Sequence, residues 1–168
     1  MSLLVILGND KLRAMALNQI GEQDHFDLLI DRSSSYKRVL RLVAKGILSI
    51  DLLVRMCLAE RKRSGQKPSS KYSGIVRNAD LLKYLKTIGP SEVILFRAGL
   101  IISKEVLGMG IPIYNIHAAR IPEYGGIGSI GKALRDRSFK QFASFHEVTT
   151  KIDEGKLVDS EDFLLSES

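Results

Sequence analysis

Short apolar runs alternate with helical patterns along this chain, and that alternation most restricts how it can fold. The runs have the length of buried strands and lie at residues 3–7, 26–30, 93–96 and 111–115. Between them, apolar residues recur at three- and four-residue spacing, as they do on one face of a helix. Strands that alternate with helices form a doubly wound, mostly parallel sheet. We therefore predict an α/β fold of this kind.

The rest of the pattern completes one domain. Further stretches have helical spacing, a polar loop interrupts them, and two more strands follow near the end of the sequence. We expect helices at 11–20, 34–45, 47–63, 78–85, 103–108 and 128–137, the loop at 64–73, a strand at 142–148, and a final strand or a tail at 156–165. A chain of 168 residues is long enough to bury a sizeable core, so we expect a single domain over 1–168.

The cysteine content and the apolar runs bear on the cellular setting. The chain has one cysteine, Cys57, which rules out a disulfide within the chain and favours a reducing, cytoplasmic setting. Its sequence neighbours are apolar, so we expect a buried thiol rather than a reactive nucleophile. No apolar run approaches the ~20 residues that a membrane-spanning helix needs. We therefore expect no membrane partner.

The chain carries a net charge of +6, and lysine and arginine are concentrated between residues 37 and 71. A positive field of this kind attracts anionic partners. It fits a solvated helix face followed by a basic loop, and it also fits a phosphorylated or nucleotide-linked substrate. Nucleic-acid binding is disfavoured because no recognised binding motif accompanies the charge.

Three polar residues follow the ends of two expected strands. Asn115 and His117 are two residues apart at the end of the first strand, so their side chains point the same way. Asp153 lies in the loop-like segment KIDEG after the second strand. An amide, an imidazole and a carboxylate can together stabilise an oxyanion and move a proton. Each also has an ordinary structural interpretation, as a turn former, a hydrogen-bonded histidine and a turn acid.

Residues 126–131 read GIGSIG, which matches the pattern G-x-G-x-x-G. This pattern binds dinucleotides when it directly follows the first strand of a sheet, whereas here a loop containing Pro122 precedes it. We interpret the segment as a flexible turn that leads into a helix.

The segment around Asn115 resembles the folate-dependent formyltransferases. Residues 114–126 read YNIHAARIPEYGG, which is similar to the family pattern Asn-x-His-Pro-Ser-Leu-Leu-Pro-x-Tyr-x-Gly. The segments FHEV at 145–148 and IDEG at 152–155 resemble the family's His-x-Val and Asp-x-Gly elements, in the same order. The segment VILFRAG at 93–99 resembles the preceding strand and its cofactor-facing loop. The rest of the chain resembles the family only in outline.

The resemblance implies a Rossmann-like, formyltransferase-like domain that transfers a formyl group from N10-formyltetrahydrofolate to a primary amine. In the family, residues matching Asn115 and His117 stabilise the oxyanion and the residue matching Asp153 handles protons. We interpret His146 as a support for the Asp153 loop. The remaining candidates are Arg97, Ala98, Gly99 and Ile152 for folate binding, and Arg120 and Tyr124 for substrate binding.

Departures from the family pattern narrow the expected acceptor. The usual Pro-Ser-Leu is replaced at residues 118–120, and the loop after Gly99 lacks the folate-contacting arginine of the branch that acts on glycinamide ribonucleotide. We also expect neither the additional domain of the methionyl-tRNA formyltransferases nor that of the formyltetrahydrofolate hydrolases. The expected substrate is a small anionic amine, such as an amino sugar linked to a nucleotide, and a homodimer is left open. The alternatives are a formyltetrahydrofolate hydrolase and a non-catalytic folate- or nucleotide-binding module.

Overall fold

Seven strands form one mostly parallel sheet in the computed structural model, which describes residues 2–12, 15–16, 26–33, 36–63 and 72–165. The strands are β1 (Leu3–Gly8), β2 (Phe26–Asp31), β3 (Gly74–Ile75), β4 (Glu92–Phe96), β5 (Ile113–His117), β6 (Lys140–Glu147) and β7 (Leu157–Leu164). Their order across the sheet is β3-β2-β1-β4-β5-β6-β7. The strands β1 to β5 run parallel, whereas β6 and β7 are antiparallel to their neighbours. The predicted α/β fold is confirmed.

The helices connect the strands as the spacing of apolar residues predicts. Their bounds are α1 (Tyr36–Ala44), α2 (Ile50–Lys62), α3 (Asn78–Ile88), α4 (Lys104–Leu107) and α5 (Ser129–Arg135). The side chains of Ser49 and Ser103 accept backbone N–H groups in the first turns of α2 and α4, which is the usual way to satisfy a helix start. Residues 11, 12, 15 and 16 are also helical. The rest of the helix expected at 11–20 and most of the loop expected at 64–73 lie outside the described residues.

The hydrophobic core lies where the central strands meet α3. Leu4 and Ile6 of β1, Val93 of β4 and Leu81 of α3 are all 0% exposed and belong to one buried cluster. Central parallel strands are covered on both faces, which explains why their sequences are continuous apolar runs. No helix among the described residues is both long and apolar enough to cross a membrane.

The structure shifts the boundaries of β5. This strand begins at Ile113 and ends at His117, two residues later than expected. Pro112, which precedes it, has no N–H to donate to a neighbouring strand. Asn115 and His117 therefore lie inside the strand rather than at and beyond its end.

Cys57 is exposed, so the expectation of a buried thiol is wrong. None of the residues of α2 is buried, and its apolar Ile50 and Val54 are 67% and 50% exposed. Apolar neighbours in the sequence make a helix amphipathic, but they do not decide whether its apolar face is covered.

Candidate active site

The antiparallel pairing of β5 and β6 gathers the first polar side chains of the site. In this register Asn115 lies opposite His146, and His117 lies opposite Ser144. Side chains two residues apart share one face of a strand, so Asn115, His117 and His146 project from the same face of the sheet. The antiparallel β6 thus adds His146 to Asn115 and His117 of β5.

Asp153 lies between these side chains. Its Oδ2 accepts the N–H of Gly126 at 2.8 Å and lies 3.5 Å from Nδ1 of His117. Its Oδ1 lies 3.5 Å from the Asn115 amide nitrogen and 3.6 Å from Nε2 of His146. The structure therefore brings the side chains of Asn115 and His117 to the carboxylate of Asp153, as the sequence predicts.

The backbone of the Asp153 loop is shaped to hold that carboxylate. Asp153 has a left-handed φ of 52°, a conformation that aspartate and asparagine adopt more readily than most residues. Two residues later, Gly155 lies so close to β6 that a Cβ there would be 1.8 Å from the Glu147 carbonyl oxygen. A side chain at position 155 would therefore push the loop away from the sheet.

The two ring nitrogens of His117 both face oxygen atoms. Nε2 lies 2.9 Å from the backbone carbonyl oxygen of Tyr124, and Nδ1 faces the carboxylate of Asp153. Because a carbonyl oxygen can only accept, Nε2 carries a proton and donates it to Tyr124. A further proton on the ring would sit on Nδ1, between the imidazole and Asp153.

His146 is buried, at 2% exposure, and contacts both Asn115 and Asp153. Its Nδ1 lies 2.9 Å from the Glu147 carbonyl oxygen and therefore donates to it. Its Nε2 lies 3.2 Å from the Asn115 amide nitrogen, so a neutral ring accepts from Asn115 and a charged ring donates to Asp153. These contacts fit the interpretation of His146 as a supporting residue.

The carboxyl group of Asp153 is tuned towards its ionised form. Burial raises its pKa, but the hydrogen bonds from His146 and the Gly126 amide and the charges of His117 and His146 lower it more. The pKa of Asp153 therefore lies below its usual value. At neutral pH the site therefore holds a carboxylate beside the imidazole of His117.

The glycine-rich segment forms one wall of the cluster. Gly126 and Gly128 have left-handed φ values of 78° and 75°, and α5 begins directly after Gly128. A Cβ at Gly125 would lie 3.2 Å from the Cβ of Asp153. The glycines thus allow the backbone to approach the carboxylate, which supports the interpretation of this segment as a turn into a helix.

The residues predicted to bind folate lie at two places around the cluster. Residues 97–99 follow β4, whose Phe96 is in register with Ile116 of β5, so the segment begins level with His117. Its Gly99 then reaches Asp31 at the end of β2. Ile152 precedes Asp153, and its side chain is 60% exposed. Position alone makes both groups available to a ligand that reaches the cluster.

The residues predicted to bind the substrate differ in their surroundings. The guanidinium of Arg120 lies over the ring of Phe142 and donates to the Lys140 carbonyl oxygen at 3.3 Å. The Arg120 side chain therefore packs against the start of β6. Tyr124 contributes its backbone carbonyl to His117. The sequence drew attention to the Tyr124 side chain, whereas the contact that the structure brings to the cluster is made by the main chain.

A cavity of about 540 Å³ opens near the start of β5 and was not anticipated from the sequence. None of the four clustered side chains and none of the predicted folate-binding residues lines it. Its lining residues are Leu107, Gly110, Ile111, Pro112, Ile113, Tyr114, Glu147, Val148, Thr149 and Thr150. No motif marks these residues, which come from the end of α4, the segment before β5, the start of β5 and the end of β6 with the residues after it.

Similarity in sequence to known proteins covers about half of the chain. No family model matches it. A methionyl-tRNA formyltransferase from Caldicellulosiruptor saccharolyticus is 36% identical over 93 residues, which is 54% of this chain and 27% of that protein. A methionyl-tRNA formyltransferase from a Thermotoga species is 24% identical over 83 residues, which is 49% of this chain and 26% of that protein. The matched region thus spans about a quarter of the length of these relatives.

Similarity in fold covers nearly the whole chain. A phosphoribosylglycinamide formyltransferase from Anaplasma phagocytophilum has a TM-score of 0.65 at 12% identity, covering 99% of this chain and 73% of that one. A sugar N-formyltransferase from a Shewanella species has a TM-score of 0.59 at 13% identity, covering 99% and 58%. A formyltetrahydrofolate deformylase from Pseudomonas syringae has a TM-score of 0.62 at 14% identity, covering 98% and 51%. Over about half of its length the chain is thus similar in sequence to methionyl-tRNA formyltransferases, and over nearly all of it the chain has the fold of formyltransferases of known structure.

Proposed function

We propose that this protein transfers a formyl group from N10-formyltetrahydrofolate to a primary amine. The observation that supports this most is the meeting of Asn115, His117 and Asp153, with the carboxylate 3.5 Å from the imidazole. Formyl transfer needs donors for a developing oxyanion and a path for one proton. The amide and the imidazole supply the donors, and the carboxylate supplies the path.

The formyl donor supplies an acyl carbon that an amine can attack, and the side chains act on the oxygen and the protons. The Nε2–H of His117, which donates to Tyr124 in the structure, would donate to the formyl oxygen when the substrate takes the place of that carbonyl. The Asn115 amide makes a long contact of 3.5 Å with Asp153, so this N–H can turn to the same oxygen at little cost. One oxyanion donor is worth about 3 kcal/mol of the barrier.

The proton balance assigns the remaining role to Asp153. The attacking amine loses a proton as its nitrogen bonds to the formyl carbon, and the folate nitrogen gains one as its bond to that carbon breaks. Asp153 is partly buried beside His117, and its lowered pKa keeps it ionised, so its oxygen atoms can accept the first proton. The same group then releases the proton towards the leaving nitrogen, directly or through a water molecule.

The acceptor is proposed to be an anionic amine, such as an amino sugar linked to a nucleotide. The helix α2 passes near the site, because a Cβ at Gly128 would lie 2.9 Å from Leu52 of this helix. Its other end approaches the turn after β1, where Glu60 accepts the Lys11 N–H at 2.8 Å. The exposed Arg61 and Lys62 of α2 place positive charge near the carboxyl ends of the strands, where ligands of such sheets bind.

The direct test is tetrahydrofolate release from N10-formyltetrahydrofolate in the presence of a panel of amines, with nucleotide-linked amino sugars set against neutral ones. We expect release that depends on an amine, is faster with anionic amines, and falls by about 10²–10⁴ in Asp153→Asn. The exposed Asp159 of β7 gives a matched control, and Asp159→Asn should keep the wild-type rate. Equal release of formate without any amine would instead identify a hydrolase. Folate binding with no turnover would identify a binding module.

A further inference from the structure

A buried carboxylate, Asp31, lies at the carboxyl end of β2 and outside the cluster of Asn115, His117, His146 and Asp153. It is 2% exposed. Its Oδ1 accepts the N–H of Ser33 at 2.7 Å, and its Oδ2 accepts those of Gly99 and Leu100 at 2.5 and 2.8 Å. A carboxyl group this deeply buried needs such partners, because burial without them is costly. Asp31 therefore ties the end of β2 to the turn that follows β4.

That turn, residues 97–100 and here called the β4 turn, reaches Asp31 by crossing the end of β1, which lies between β2 and β4. Gly8 leaves room for the crossing, because a Cβ there would lie 2.2 Å from the Arg97 carbonyl oxygen. Arg97 has a left-handed φ of 56°, and its Nε donates to Asp10 at 2.6 Å. The β4 turn is thus held in a specific path by groups that do not belong to it.

The bonds to Asp31 also set the direction of the carbonyl groups in the β4 turn. A trans peptide points its N–H and its C=O in opposite directions. The N–H groups of Gly99 and Leu100 point at Asp31, so the carbonyl groups of Ala98 and Gly99 point away from it. The turn begins next to His117, which places it at the edge of the proposed formyl-transfer site.

We propose that Asp31 is a positioning residue for the formyl donor, because it fixes the β4 turn in the orientation that presents the Ala98 carbonyl oxygen to a heterocycle carrying N–H groups. The inference rests on the proposed function and extends it to a residue that never touches the reacting atoms. Loss of Asp31 should therefore weaken donor binding and leave the chemical step intact.

The test is a pair of matched substitutions, Asp31→Asn and Asp80→Asn. Asparagine keeps the shape of the side chain and replaces one acceptor oxygen with a donor. Asp80 provides the control because its Oδ2, like that of Asp31, accepts two backbone N–H groups, those of Val76 at 3.1 Å and Arg77 at 2.9 Å, but at the start of α3. For Asp31→Asn we expect about a tenfold rise in the Kd of a non-reactive formyl-folate analogue and in the donor KM. Its kcat should stay within about threefold of wild type, and Asp80→Asn should change neither Kd nor KM.

Equal Kd values for Asp31→Asn and wild type, or equal rises in both variants, would overturn the proposal. Amide hydrogen exchange adds a readout that needs no ligand. We expect Asp31→Asn to speed exchange at Gly99 and Leu100 and to leave Leu95 of β4 protected. Unchanged exchange at the two turn amides would also overturn it. If wild type binds no folate analogue, the proposed function falls and the ligand part of this inference falls with it, while the exchange result still decides whether Asp31 holds the turn.

Discussion

Asp153 is the residue on which the candidate site depends, because its two oxygens reach every other member of the cluster. They contact the Gly126 amide at 2.8 Å and lie within 3.6 Å of Asn115, His117 and His146. One partner is a backbone N–H, which anchors the carboxylate to the main chain. The two imidazoles lie on either side of the anchored carboxylate.

The lowered pKa of Asp153 makes the stability of the protein depend on pH in a defined window. Its unfolded reference is 3.8 and its folded pKa lies below that value, so its contribution to the free energy of unfolding is fully present above pH 3.8. The contribution is lost as the pH falls through the folded pKa. We therefore expect the difference in unfolding free energy between wild type and Asp153→Asn to be larger at pH 6 than at pH 3.

Urea denaturation at the two pH values measures this difference. The exposed Asp159 again serves as the control, and Asp159→Asn should track wild type at both. A gap between wild type and Asp153→Asn that is the same at pH 6 and pH 3 would contradict the assignment of the lowered pKa to Asp153.

At the scale of elements, the site is made by a strand pairing and a loop. β5 supplies Asn115 and His117, and the antiparallel β6 supplies His146 and leads into the loop that carries Asp153. The loop has to turn back tightly against β6 for its carboxylate to reach β5. Its geometry is therefore as important to the site as the identity of its residues.

Gly155 tests this requirement. In Gly155→Ala the new Cβ would meet the Glu147 carbonyl oxygen at 1.8 Å, so the loop must shift and take Asp153 with it. We expect the free energy of unfolding to fall by about 1–3 kcal/mol. The rate of formyl transfer should fall further than the loss of folded protein explains. Thermal unfolding and steady-state rates measure the two effects.

Gly131 provides the matched control within α5. A Cβ at this position would meet no atom within 4 Å, and the residue lies inside a helix. Gly131→Ala should therefore stabilise the protein by about 0.5–1 kcal/mol and leave the rate unchanged. Equal rates in Gly155→Ala and Gly131→Ala would show that the tight turn of the Asp153 loop does not matter for activity.

At the scale of the whole molecule, local patterns in the sequence predicted most of the strands and helices. The apolar runs at β1, β2 and β4 and the spacing in the helices identified the sheet and its parallel core, because local patterns encode burial. Asn115, His117 and Asp153 were found because their order resembles a known family. Their meeting around one carboxylate agrees with that resemblance.

What the sequence did not predict depends on contacts between distant segments. Cys57 is exposed because it lies on α2, which has no buried residue. The strand β3 has only two residues, too few to form a sequence pattern. Tyr124 contacts His117 through its backbone carbonyl, and two of the partners of Asp31 are 68 and 69 residues away in the chain. Neither a side-chain motif nor a hydrophobic period reports such contacts.

For the whole molecule we propose the transfer of a formyl group to an amine. Its most direct measurement uses N10-formyltetrahydrofolate labelled with ¹³C in the formyl carbon and follows the label by mass spectrometry. We expect wild type to place the label on the amine nitrogen of a nucleotide-linked amino sugar, and Asp153→Asn to leave it on the folate. Label that appears in formate at the same rate with and without the amine, or that stays on the folate with wild type, would contradict the claim.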